Sequence, residues 1–393
     1  MMPAPAITTG YGPRLTVDLG ALVRNWQALD RVTNGTSPAT GAQRPPVLTG
    51  AVVKADAYGT GINAASKAFY SAGARFFFVA TPDEALAVRA ALPEAYIFVL
   101  DGLYPGSAPL YVGERLMPVL NSLPMLEEWL VACLGRNEAL PAALHFDTGM
   151  NRHGFRLSET SVVRRMCDEV GYAPQMIMSH LACADQPLHE KNRTQLALFS
   201  SVISQFPGIP ASLANSAATM TSRDTHFQMV RPGIALYGGR AVNGRRNPMA
   251  SAVTLEAPIL QVRDGKTGES VGYGATYTLT RDSRIAIVAL GYADGFLRSL
   301  SSTNQHAGGR VFLRGHIVPV IGRVSMDMFA IDITELQNDV PLPGEMVEVL
   351  GPHVSVDDQA DPAGTIGYEI LTSLKGRYQR TYVDSGAEQR PPA

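Results

Sequence analysis

The sequence predicts an α/β protein with an N-terminal (β/α)8 barrel of the TIM type over residues 1–240 and a mostly β domain over residues 241–393. Three observations carry this. Short β-rich runs alternate with helix-period segments between residues 50 and 231, which calls for a parallel sheet, and eight such units suit a closed ring better than an open sheet. After Tyr237-Gly238-Gly239 the alternation stops, and β runs follow at short spacing between Asp-Gly, Gly-Gly and Pro-Gly turns. Hydrophobic residues make up 46% of the 393 and charged residues 17%, which is ample for a large core.

The elements follow in order. A leading unit, with a strand at 15–19 and a helix at 21–32, enters the barrel region. The eight barrel strands fall at 50–53, 75–80, 96–100, 117–120, 142–146, 175–179, 211–214 and 228–231. Helical periodicity occupies 60–72, 82–91, 124–134, 159–170 and 189–206. Pro82 suits a first helical position, and Asp83 and Glu84 complement the dipole of the first turn. In the second domain, strands are expected at 251–262, 284–289, 310–313, 316–321, 329–333 and 346–350, and a short helix at 368–374. Residues 384–393 read as a frayed tail.

Composition removes several function classes. The net charge is −2, with no long run of one sign, so nothing points to nucleic acid. Cys133, Cys167 and Cys183 are few, odd in number and lack ligand-like spacing, which predicts free thiols rather than disulfides or a metal site. The first 14 residues do not resemble a signal peptide, and no apolar stretch is long enough to span a bilayer, so a cytoplasmic location is expected.

In such a barrel, chemistry sits at the C-terminal ends of the strands. The polar residues expected there are Lys54, Asp147 with Arg152, His180, Asn215 with Ser216, and Arg231 with Gly233. Lys54 has two readings on its own: a strand-end lysine whose head reaches water, or a desolvated amine with a lowered pKa, suited to Schiff-base chemistry. The other rim residues, taken singly, are equally open. Tyr273 alone reads as an aromatic packed on a neighbouring strand, Arg231 as half of a surface ion pair and His180 as a core histidine.

Nine stretches, in order from residue 53 to residue 369, resemble the alanine racemases, pyridoxal phosphate enzymes with a barrel plus a β domain. They are Val53-Lys54-Ala55-Asp56-Ala57-Tyr58-Gly59, Asp147-Thr148-Gly149-Met150-Asn151-Arg152, Ser179-His180, Asn215-Ser216, Val230-Arg231-Pro232-Gly233-Ile234, Gly272-Tyr273-Gly274-Ala275-Thr276-Tyr277, Gly291-Tyr292-Ala293-Asp294-Gly295, Gly322-Arg323-Val324-Ser325-Met326-Asp327 and Ile366-Gly367-Tyr368-Glu369.

The resemblance implies that Lys54 carries the cofactor and serves as one base, and that Tyr273 is the second base on the opposite face of the α-carbon. A phenol ionises near pH ~10 and so needs tuning, which the family supplies through neighbours that here would be His180 and Arg231. Arg231 would also meet the pyridine nitrogen and keep it unprotonated, and His180 would lie over the ring. Tyr58, Asn215, Ser216, Tyr368 and the amides of Gly233 and Ile234 would bind the cofactor, mainly at its phosphate. Arg152 and the Met326 amide would receive the substrate carboxylate, and Tyr292 with Tyr368 would narrow the entrance. The implied activity is interconversion of L- and D-alanine for cell-wall synthesis, in a head-to-tail homodimer with shared sites. One departure is chemical. The better-known members carry a lysine, often carbamylated, two positions before Asp147 to orient Arg152, whereas this chain has His145, so the orienting group stays open.

Rival readings are a racemase of broader amino-acid range, which the sequence leaves open, and a decarboxylase of the same architecture. Decarboxylases place a cysteine in the β domain, while every cysteine here precedes residue 184. A cofactor-binding homeostasis protein would be a bare barrel, and an interaction module would leave the polar rim unexplained.

Overall fold

The computed structural model describes residues 11–34, 46–336, 339–374 and 376–386. The barrel is a run of parallel strands. Ala51–Val52, Phe76–Val79, Tyr96–Val99, Met117–Leu120, Ala143–His145, Met176–Met178 and Ala211–Ser212 pair in sequence order. Met229–Val230 then pairs with Leu48–Thr49, which Gly50 joins to the first strand. The Gln228 amide donates to Ala211 O at 3.1 Å and the Leu48 amide to Gln228 O at 2.9 Å, so the ring closes. These strands are covered on both faces, as parallel strands flanked by helices must be. That is why Phe77, Phe78, Ile97, Val119, Leu144 and Ile177 are fully buried.

The helices follow the expected pattern, Pro82–Ala91 at its expected bounds and Ile62–Ala72, Leu123–Arg136, Thr160–Glu169 and Glu190–Ile203 with shifted ends. Pro82–Ala91 starts at Thr81, whose side chain accepts from the Glu84 amide.

The leading strand does not join the barrel. Arg14–Asp18 lies in the eight-stranded sheet of the second domain, antiparallel to Val253–Gly265 and parallel to Gln379–Val383. Its pattern explains this. Leu15 and Val17 are buried while their neighbours are not, the alternation of a sheet with one wet face. The helix Leu19–Asn34 then returns to the barrel, where Asn25 Nδ2 donates to Leu236 O and Ala250 O.

In the second domain the strands Ser283–Val288, Phe329–Asp332, His316–Ile321, Arg310–Leu313 and Met346–Leu350 lead to Val253–Gly265. That last strand spans 13 residues and shifts register between Ile259 and Gln261, so its far half pairs back onto Ser283–Val288 and closes six strands on themselves. Elements of this domain not anticipated from the sequence include the short antiparallel pair Ser270–Val271 and Tyr277–Thr278, the strand Gln379–Val383 and the helix Val356–Ala363, the last capped by Ser355 and Asp358. Of the expected tail, residues 387–393 lie outside the described residues, while the Ser385 amide donates to Asp18 at 3.2 Å.

Candidate active site

At the C-terminal ends of the barrel strands lies a cavity of about 480 Å³. Lys54, Tyr58, Arg152, His180, Asn215, Ser216, Arg231, Gly233 and Ile234 line it, together with Tyr368 from the second domain, whereas Asp147 does not and instead accepts from the Gly149 and Met150 amides. Tyr273, Tyr292 and Met326 do not line it. They sit on loops of the second domain, 71%, 38% and 54% exposed respectively.

Lys54 follows the first strand after Val53 and opens an unusual turn. Ala55, Asp56, Ala57 and Tyr58 all have φ between 52° and 55°, in the left-handed region that L-residues avoid. Each such residue costs about 1–2 kcal/mol, so the surroundings must hold the turn. Glu84 accepts from the Ala55 amide at 2.6 Å and from the Ala80 amide at 2.8 Å. Asp56 accepts from the Ile62 amide at 2.8 Å and pairs with Arg380 at 3.1 Å. Burial lowers the Lys54 pKa and the cationic Arg152 lowers it further, against an opposing pull from Glu84 and Asp101. The amine is therefore more readily neutral than a solvated lysine. Arg152, in the same cavity, makes no hydrogen bond or ion pair among the described residues.

The turn delivers Tyr58 to a buried position, stacked on Tyr237 at 4.5 Å between ring centres and tilted against Tyr368 at 5.9 Å. Burial pushes the Tyr58 and Tyr368 hydroxyls up, so both stay protonated donors. Opposite them, Ser216 Oγ accepts from the Gly233 amide at 2.8 Å and from Ala235 at 3.4 Å. Ser216 opens the helix Ser216–Thr221, whose end is capped by Asn215 Oδ1 on the Ala218 amide. A Cβ on Gly233 would lie 2.3 Å from the Tyr58 hydroxyl, so only glycine lets these groups meet.

Arg231 is buried. Its guanidinium donates to Ser179 O at 2.7 Å, to Ser212 Oγ, and to His180 Nδ1 at 3.4 Å. Burial lowers it to about 10, which leaves it protonated at neutral pH. An arginine has no lone pair to offer, so His180 Nδ1 is the acceptor and the ring proton resides on Nε2. Burial first, then Arg231 and Arg152, hold His180 well below the ordinary histidine value and keep it neutral.

Three supporting groups were not foreseen. Tyr237 backs Tyr58 and donates to Val52 O at 2.8 Å. Gln195 donates to His180 O at 2.9 Å and to Thr148 Oγ1 at 3.1 Å. Asn121 meets His145 Nδ1 at 2.7 Å. Each lies far in sequence from the residue it supports, so no local motif announces it.

The second-domain loops are locked together. The Tyr292 amide donates to Ser325 O at 3.1 Å and the Ala293 amide to Met326 O at 3.0 Å. Arg377 pairs with buried Asp294 at 3.0 Å and with Asp327 at 2.9 Å, one acid from each loop. Asp294 also accepts from the Gly291 amide at 2.9 Å. The Tyr273 turn is shaped by Gly272 and Gly274, both at positive φ, the latter packed on the Arg323 guanidinium.

Residues 17–241 match the family described as alanine racemase, N-terminal domain, and residues 252–382 match alanine racemase, C-terminal domain. An alanine racemase of Rhizobium meliloti (strain 1021) is 45% identical over 377 residues, covering 94% of this chain and 96% of that protein. A biosynthetic alanine racemase of Agrobacterium fabrum is 44% identical over 380 residues, covering 94% and 93%. Among solved structures, the alanine racemase of Bartonella henselae, which carries covalently bound pyridoxal phosphate, aligns with a TM-score of 0.86 at 35% identity, covering 95% of this chain and 99% of that one. The biosynthetic alanine racemase of Pseudomonas aeruginosa aligns at 0.85 and 34% identity, with the same coverage.

Proposed function

The chain belongs to the alanine racemase family, and from that premise we propose that it interconverts L- and D-alanine with pyridoxal phosphate and supplies D-alanine for cell-wall synthesis. The two proton carriers are Lys54 and Tyr273 of the partner subunit. The observation that carries the reading is a single cavity holding a desolvated amine, Lys54, beside a guanidinium, Arg152, that is unpaired among the described residues.

The residues fit the cofactor. The Ser216 hydroxyl, the backbone at Gly233 and Ile234, and the Tyr58 and Tyr368 hydroxyls form a donor-rich cradle suited to a phosphate. When bound, pyridoxal phosphate supplies a carbonyl that joins an amine covalently and a conjugated ring that takes up the electron pair of the substrate Cα–H bond. Lys54 would carry the cofactor and then, as a free amine, hold or release the α-proton on one face. Arg152 would receive the substrate carboxylate through charge-assisted hydrogen bonds. Arg231 stays protonated and can only donate, so it would hold the cofactor's ring nitrogen without a proton and weaken electron uptake. That weaker uptake would favour return of the proton to the α-carbon over transamination.

Racemisation needs a second carrier on the opposite face. Tyr273 stands outside the cavity of its own chain and is largely exposed, which supports a head-to-tail homodimer in which each cavity borrows this phenol from its neighbour. Tyr292 and Met326, equally outside, would arrive on the same surface, Tyr292 narrowing the entrance and the Met326 amide meeting the carboxylate.

A coupled D-alanine assay on purified holoenzyme tests the activity. An absorbance band near about 420 nm that borohydride bleaches tests the lysine linkage, and its absence in Lys54→Ala assigns it. A holoenzyme that leaves L-alanine optically unchanged overturns the reading.

A further inference from the structure

Resting on the racemase reading above, we propose that His145, fixed by Asn121, is the positioning residue for Arg152: in the loaded site its ring Nε2 accepts a hydrogen bond from the guanidinium and turns it toward the substrate carboxylate. His145 ends the strand Ala143–His145, is buried, and lines the same cavity as Arg152. Its orientation can be traced bond by bond. Asn121 Nδ2 donates to Val119 O at 2.7 Å and to Leu100 O at 3.2 Å, which fixes the amide so that its oxygen faces His145. A ring nitrogen 2.7 Å from that oxygen must be the donor, so the His145 proton resides on Nδ1.

In a neutral imidazole Nε2 is then a bare lone pair. The ring is neutral, because burial, Arg231, His153 and Arg152 together hold it at about 3 against the opposing pull of Asp147. Among the described residues Nε2 makes no hydrogen bond. Arg152 is the complementary group, with donors only and no partner among the described residues. Two of its five donors suffice for a carboxylate, which leaves others free for a second acceptor. A neutral acceptor has a specific advantage here. It aligns the guanidinium without cancelling its charge, so the full attraction is kept for the substrate.

The test uses holoenzyme and two readouts: the KM for alanine, and the calorimetric Kd of propionate, a carboxylate of alanine's size without the amine. His145→Leu is expected to raise both about tenfold, the worth of one hydrogen bond to a charged group, with kcat changed far less and the cofactor band and Tm retained. His145→Gln, whose amide oxygen can occupy the place of Nε2, is expected to recover most of the loss. Unchanged constants in His145→Leu, or a Gln variant no better than Leu, overturn the inference. Should His145→Leu not fold, Asn121→Ala decides the matter: loss of the tether is expected to raise the propionate Kd about threefold, and no change refutes the assignment. Failure of the racemase reading is distinguishable, since it shows as an inactive wild type rather than an unaffected variant.

Discussion

The Tyr58 hydroxyl stands 2.3 Å from the point a Cβ on Gly233 would occupy, so the amide and the phenol share space that no side chain can enter. Gly233→Ala is therefore expected to weaken pyridoxal phosphate binding, with a penalty of about 1–3 kcal/mol from overpacking. Titration of the cofactor into apo-protein measures it. Adding Tyr58→Phe removes the colliding oxygen but also a donor, so recovery is expected to be partial. Equal affinity of Gly233→Ala and wild type would sink this account of the cradle.

Burial and Arg152 lower the Lys54 pKa. The neutral amine is the reactive form and is populated above the pKa, so attachment of pyridoxal phosphate should speed up as pH rises and level off below the ordinary lysine value of 10.5. Stopped-flow rates against pH give the midpoint. In Arg152→Gln one of the two depressing influences is gone, and the midpoint is expected to move up. A midpoint unmoved by that substitution would deny the cation its part.

Shared sites make a quantitative forecast. Lys54→Ala and Tyr273→Phe subunits, each inactive alone, are mixed and allowed to exchange. In a random equal mixture half the dimers are hybrids with one intact site of two, so activity should reach about a quarter of wild type. A mixture that stays inactive after verified exchange rules out sharing.

Arg377 ties the Tyr292 loop to the Met326 loop through Asp294 and Asp327. Arg377→Leu leaves the buried Asp294 carboxylate with less compensation, and a loss of about 1–3 kcal/mol in stability is expected. Asp327→Asn, on the half-exposed partner, should cost about 1 kcal/mol or less. Denaturant midpoints compare the two, and equal losses would contradict the division of roles.

The barrel was legible because its strands are continuous apolar runs, as at Phe76–Val79, with turn residues between them. Arg14–Asp18 was legible as a strand, but its destination was not. Its alternating burial pattern suited the outer sheet, while its position before a helix suggested a barrel unit. Motifs marked Lys54, Arg231 and Tyr273, yet not the left-handed path of Ala55–Tyr58, since no propensity of Ala-Asp-Ala-Tyr announces positive φ and only Glu84, Asp56 and the packing of Tyr58 impose it. His145 stood out in the sequence, but its partner Asn121 is on another strand end and could be found only in three dimensions.

The strand Arg14–Asp18 is flanked by Val253–Gly265 on one side and Gln379–Val383 on the other. On the ribosome it emerges before the barrel, while both of its strand partners follow the barrel. The second domain thus cannot complete its sheet until synthesis nears residue 383, and such distant pairing is slow to form. A nascent chain halted after the barrel would leave that strand without either partner, the kind of unpaired strand that invites aggregation.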